Sequence, residues 1–205
     1  MNHLAHAYLS GDNDLVLLGN LMGDFVKGTI DTTLPEDIRR GIRLHRLIDA
    51  YTDTDPAFQQ SRERLDKSFR RYAGILVDIF YDHFLSKYWN DYSTRPLADY
   101  AQDIYRLLER EHDLLPERMR RFVSYMISND ILVAYGRLDG IAQVLNGMSR
   151  RLSFANPLAE GTDELVRNYD GFREDFDSLL SRITVYAEEQ RLGMETGDRR
   201  RETGR

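Results

Sequence analysis

Residues 74–89 read GILVDIFYDHFLSKYW, an almost unbroken apolar run into which Asp78, Asp82 and His83 are set. A helix that is apolar nearly all round belongs in a core. An unpaired carboxylate buried there costs several kcal/mol, so such groups are normally paired, protonated or bound to a metal. Asp78 and Asp82 stand four apart and differ by about 40° around the helix axis, which puts them on one face. His83 lies about 100° from Asp82, so one helix cannot aim all three side chains equally well at a single point. A charged helix edge facing solvent, or an Asp78–arginine pair, is the plain structural alternative.

A second pair lies upstream in GIRLHRLIDAYTDTDP, where Ile38, Ile42, His45 and Asp49 follow at spacings of four, three and four. The polar pair thus continues an apolar stripe. Asp49 is placed either to bind an ion beside His45 or to orient the ring by accepting its second proton; a buried His–Asp hydrogen bond is the alternative. Asp53 and Asp55 read as turn or cap residues. Two acid/imidazole pairs on two core helices point to a metal centre. At the amino terminus, MNHLAHAYL sets His3 and His6 three apart on one helical face. Asp24 ends the apolar run LVLLGNLMGDFVKG, in which Gly19 and Gly23, four apart, permit close helix approach.

Helical periodicity recurs over roughly 2–10, 13–27, 35–53, 56–72, 74–91, 96–112, 116–134, 138–152 and 160–190, and strand alternation is scarce. Pro35, Pro56, Pro96 and Pro116 fall near expected helix starts, with Asp55 and Ser93 or Thr94 as expected caps. The reading is an all-α, single-domain helical bundle over 1–190, followed by a polar, flexible tail over 191–205. The 205 residues, 41% hydrophobic and 30% charged, suit one soluble domain. No apolar run approaches 18 residues and no secretory pattern opens the chain, so neither membrane nor export is expected and a cytoplasmic location is. With no cysteine, ligands must come from His, Asp and Glu. A net charge of −6 argues against general nucleic-acid binding.

No phosphate loop, dinucleotide glycine pattern, HExxH motif or nucleophile elbow is present. The twelve tyrosines read as packing residues. Basic residues cluster at Arg39, Arg40, Arg43 and Arg46, at Lys67, Arg70 and Arg71, and at Arg118, Arg120 and Arg121. Each cluster is either a solvated face or a means of steering an acidic partner. Arg39 and Arg43 are the preferred substrate-binding candidates because they flank the His45 stripe.

The ordered segments NHLAH, LLGNLMGDFVKG, IRRGIRLHRLIDAYTDTDP and LVDIFYDHFLSKYW resemble the acyl carrier protein phosphodiesterase (acyl carrier protein hydrolase) family. The resemblance is close over about 1–92 and looser to about 190. That family is similar to the HD-type metal-dependent phosphohydrolases, which implies an HD-phosphohydrolase-like bundle. The implied activity is hydrolysis of the 4′-phosphopantetheine group from holo-acyl carrier protein, leaving the apo-protein. The implied cofactor is a divalent metal, Mn²⁺ first, with Mg²⁺ or Fe²⁺ as alternatives. On this resemblance Asp24, His45, Asp82 and His83 are the expected metal ligands, and His6, Asp49 and Asp78 the catalytic or orienting groups. His3 stands where the family pattern carries phenylalanine and receives no role. The pair Asp82-His83 reverses the His-Asp order for which the larger superfamily is named. Acyl carrier proteins are small and acidic, so an arginine flank suits the partner; no oligomeric state is assigned. Two other readings remain: a related phosphohydrolase acting on a small nucleotide or other phosphoester, and a non-catalytic helical binding protein whose His/Asp pairs are structural.

Overall fold

The apolar stretch becomes helix α5 (Ala73–Lys87) in a computed structural model, which describes residues 1–203, with side chains through residue 196. Leu76, Val77, Phe80, Tyr81, Phe84 and Leu85 of α5 are inaccessible to solvent. Burying each such side chain contributes roughly 1.5–3 kcal/mol, so this helix anchors the fold. Around it pack α1 (His3–Tyr8), α4 (Pro56–Arg64), α9 (Leu138–Arg151) and α11 (Tyr169–Thr203). The remaining helices are α2 (Asp14–Met22), α3 (Glu36–Thr54), α6 (Leu97–Arg110), α7 (Glu117–Ser128), α8 (Ile131–Ala134) and α10 (Gly161–Arg167). The architecture is all-helical, with no strand among the described residues. One hydrophobic cluster extends from Met1 to Ala187.

The most extensive helix pairing is α2 on α3. It depends on Gly19 and Gly41: a Cβ on Gly19 would stand 2.1 Å from the Ile38 carbonyl oxygen, and one on Gly41 2.1 Å from that of Val16. The spacing of Gly19 signalled this approach; its counterpart in α3 was not foreseen.

Helix starts follow the prolines. Pro56 occupies the first turn of α4, and Asp55 caps it by accepting the Ala57 amide at 2.8 Å. Arg182 of α11 holds that carboxylate with bonds of 2.7 and 3.0 Å. Pro35, Pro96 and Pro116 are themselves the N-cap residues of α3, α6 and α7. Ser93 and Thr94 therefore do not cap α6; the Ser93 hydroxyl accepts the Arg95 amide instead.

The helix expected over 116–134 breaks at Asn129 and Asp130, with Asp130 at φ 44 in the left-handed region that Asn and Asp tolerate. The segment expected over 160–190 is divided at Asn168 into α10 and α11. Helix α11 continues into the polar stretch read as a tail, where Arg191 Nη1 donates to the Leu9 carbonyl at 3.0 Å. Residues 204–205 of that stretch lie outside the described residues. No described helix is long and apolar enough to cross a membrane.

Candidate active site

Asn20 organises the site. It sits in the apolar run of α2, fully buried, and its polarity there is unusual enough to require partners. Its Nδ2 donates to the His6 carbonyl at 3.0 Å and to Ser10 Oγ at 2.9 Å. Its Oδ1 is therefore an acceptor, and His6 Nδ1–H donates to it at 2.8 Å. The Asn20 main-chain carbonyl accepts His45 Nδ1–H at 2.8 Å. One residue thus fixes both imidazoles with their Nε2 atoms pointing away from it.

Those two Nε2 atoms face carboxylates. His6 Nε2 lies 3.2 Å from Asp49 Oδ1, and His45 Nε2 lies 3.1 Å from Asp49 Oδ2 and 3.6 Å from Asp24 Oδ1. The rings stack with centroids 4.0 Å apart and 17° between their planes. Gly23 makes room, since a Cβ there would stand 2.1 Å from His45 Cγ. Arg46 steadies the chain beyond Asp24 by donating to the carbonyls of Val26 and Gly28.

A neutral imidazole with Nδ1 protonated has only a lone pair at Nε2, and a carboxylate has only lone pairs to offer it. The cluster is consistent only with a positive charge between these groups, either a proton or a metal cation. Burial lowers the His45 imidazole, but the Asp24 and Asp49 carboxylates outweigh it and raise the pKa to about 9. For His6 burial wins over the pull of Asp49, and the pKa falls to about 4. Burial would raise Asp24 and Asp49; hydrogen bonds from the imidazoles instead hold both well below the usual carboxylate range. One ligand atom each from His6, His45 and Asp49 all lie within 4.8 Å of one another, a spacing able to surround one ion. Asp24 is available beside them.

Above the cluster is a cavity of about 410 Å³. Asp24, Asp49, Asp53 and Asp78 line one side. The lining also includes apolar and aromatic side chains, Phe122 and Tyr125 from α7, Tyr135, and Val144 and Met148 from α9, together with Arg151. Asp53, expected as a turn residue, belongs to this lining. His3 lines it as well, with its ring 4.7 Å from that of Phe122. Asp78 lies 2.8 Å from the Met1 amino group, and burial raises its pKa despite that ammonium.

Two expected ligands lie elsewhere. Asp82 uses Oδ2 and Oδ1 to accept the amides of Leu4 and Ala5 at 2.8 and 2.9 Å, capping the first turn of α1. Burial pushes its pKa up to about 7, against those two donors. His83 points to the other side of α5: Nδ1 donates to the Tyr135 carbonyl at 2.8 Å, and Nε2 meets the Tyr169 hydroxyl at 2.9 Å. Neither belongs to the His6–His45–Asp49 group, because their polar atoms are already matched by backbone and tyrosine. Arg39 and Arg43 likewise do not stand free; both pair with Glu36 on α3.

The residues missed from sequence were Asn20, Tyr125, Tyr135, Phe122, Met148 and Arg151. Only Asn20 carried a readable signal, an amide inside an apolar run.

The sequence model of the acyl carrier protein phosphodiesterase family matches residues 1–183. Curated relatives named acyl carrier protein phosphodiesterase from Escherichia coli O6:H1 and Escherichia coli O139:H28 are each 34% identical over 199 residues. Each alignment covers 94% of this chain and 100% of the relative. No solved structure matches the chain. The cluster of His6, His45 and Asp49 under a cavity thus sits within the aligned region, and the chain belongs to the acyl carrier protein phosphodiesterase family.

Proposed function

We propose that this protein hydrolyses the phosphodiester that joins the 4′-phosphopantetheine arm to holo-acyl carrier protein, and that it does so with a divalent metal ion. The observation that carries the metal reading is the convergence of two Nε2 atoms on carboxylate oxygens. Mixed imidazole and carboxylate donors suit Mn²⁺, Mg²⁺ or Fe²⁺, with Mn²⁺ the first expectation. His6, His45 and Asp49 would hold the ion, with Asp24 as a further ligand. An HD-phosphohydrolase relationship accords with a helical His/Asp centre. The reading places the enzyme with the carrier protein of fatty acid biosynthesis in the cytoplasm.

When bound, such an ion lowers the pKa of water and offsets negative charge on the phosphoryl oxygens. The protein's own residues supply position and proton traffic. Asn20 accepts both Nδ1–H groups, so Nε2 is the ring nitrogen that an ion would take in exchange for a proton. The cavity receives the arm against Phe122, Tyr125 and Met148, leaving the phosphate over the acidic side. Asp78, in the lining and with a raised pKa, is suited to exchange a proton at a carboxylate oxygen. Hydrolysis adds water across the phosphorus–oxygen bond on the carrier side: hydroxyl to phosphorus, proton to the departing carrier oxygen.

The test is the intact mass of holo-acyl carrier protein after incubation with Mn²⁺ or with EDTA. Loss of the phosphopantetheine mass in the Mn²⁺ sample alone is expected. An unchanged carrier, with hydrolysis of small phosphoesters, would overturn the carrier reading in favour of a small-molecule phosphohydrolase. Equal release in EDTA would overturn the metal.

A further inference from the structure

The chain and its proposed partner are both acidic, so their overall charges repel, and docking requires a localised cationic surface near the cavity. The arginines flanking His45 do not provide it. Arg39 and Arg43 share Glu36, Arg40 pairs with Asp37, and Arg46 is tied to backbone carbonyls. Glu36 and Asp37 thus offset two of these four charges, and Arg46 is committed to the chain beyond Asp24.

The rim at Ile75 and Arg151 differs. Ile75 of α5 and Arg151 of α9 both line the cavity, and each leads to a neighbour outside it. Four residues before Ile75, Arg71 lies over the ring of Phe154, which follows Arg151 by three; the guanidinium carbon is 5.1 Å from the ring centroid. This stack bridges the two segments that edge the cavity. Phe154 is 44% exposed and Ile75 43%, large apolar side chains presented to solvent. The same two segments carry Lys67, Arg70, Arg71, Arg150 and Arg151, all exposed, and none forms an ion pair among the described residues. Apolar and aromatic anchors amid unneutralised arginine are the composition of a protein-binding patch.

We infer that the rim built on the Arg71–Phe154 stack, rather than the Arg39/Arg43 flank, is the surface on which the acidic carrier protein docks. This rests on the proposed function. A partner acid against Arg71 and an apolar side chain against Phe154 would bring the attached arm to the edge at which Ile75 and Arg151 open into the cavity. Salt should weaken the contact, since part of it is exposed charge pairing.

The experiment measures binding of holo-acyl carrier protein to the full-length protein in EDTA by calorimetry, at low and high salt. The variants are Arg71→Glu, Phe154→Ser and Arg39→Glu/Arg43→Glu. Arg71 and Phe154 are exposed, Arg39 and Arg43 are partly buried, and thermal melts verify that each variant folds. We expect Kd to rise about tenfold or more for Arg71→Glu and several-fold for Phe154→Ser, with at most a twofold change in the Arg39/Arg43 variant. If the wild type binds the carrier but the first two variants bind equally well, the docking surface is wrong while the proposed function stands. If the wild type neither binds the carrier nor releases its arm, the function reading fails and takes this inference with it.

Discussion

The pair His45/Asp49 and the pair Asp82/His83 use the same residue types, lie in core helices, and have opposite fates. Every polar atom of Asp82 and His83 meets a complementary protein group: two amides, a carbonyl and a hydroxyl. His45 Nδ1 donates to a carbonyl, while its Nε2, like that of His6, faces acids and meets them only through a proton or a cation held between them. One pair is closed and ties helices together; the other, the open pair, leaves room for a proton or a metal cation between its nitrogens and oxygens. What separates a structural pair from a functional one is the count of remaining lone pairs and donors, not the residue types or their spacing.

The largest effect should fall on the open pair. His45→Ala or Asp49→Asn should lower turnover roughly a thousandfold or more, about 4 kcal/mol in the barrier. Either should also abolish tight Mn²⁺ binding in equilibrium dialysis while leaving the helical circular dichroism intact. Retained Mn²⁺ stoichiometry in both would break the comparison at its root.

Gly23→Ala sharpens it, because the added Cβ displaces the His45 ring without removing a ligand. A displacement near 1 Å costs on the order of a hundredfold in rate. Steady-state kinetics should show that loss, and wild-type rates would mean the ring position is immaterial.

The closed pair should respond in stability. Asp82→Ala strands two amides of α1 and should cost about 2 kcal/mol in urea unfolding, with Mn²⁺ stoichiometry unchanged. Lost metal with unchanged stability would make Asp82 a ligand after all.

His83 adds a pH signature. Burial lowers its pKa from 6.5 to about 4. Between those values the unfolded chain binds the extra proton, so stability falls as pH drops through the window. Replacing His83 by Gln should remove about 1–2 kcal/mol of that slope, as followed by unfolding at pH 7 and pH 4.5. An identical slope would show that His83 titrates normally in the fold.

How far these distinctions could be read beforehand depends on the range of the contacts. The all-helical class followed from periodicity, and α5 and α3 were evident as apolar stripes with polar insertions. Gly19 and Gly23 announced close approach, Gly19 to the backbone of α3 and Gly23 to the His45 ring. The partners of Asp82 are main-chain amides of residues 4 and 5, which leave no mark in a side-chain pattern, so its place in the fold was not legible. Part of the cavity lining comes from α7 and α9, whose apolar residues look like any other core face until the tertiary structure brings them to the same cavity as Asp78. The pairing of Arg39 and Arg43 with one shared acid was more accessible: Glu36, three and seven residues upstream, already lay within reach on the same helix. The pairing of Arg71 with Phe154 spans more than eighty residues and required the fold.

The central claim is that the open pair performs chemistry and the closed pair does not. The most direct test is the rate of phosphopantetheine release from holo-acyl carrier protein by His45→Asn and His83→Asn, at matched folded concentration with Mn²⁺ present. The account predicts that His45→Asn is silent within detection and His83→Asn releases the arm within a few-fold of wild type. A silent, folded His83→Asn beside an active His45→Asn would contradict it.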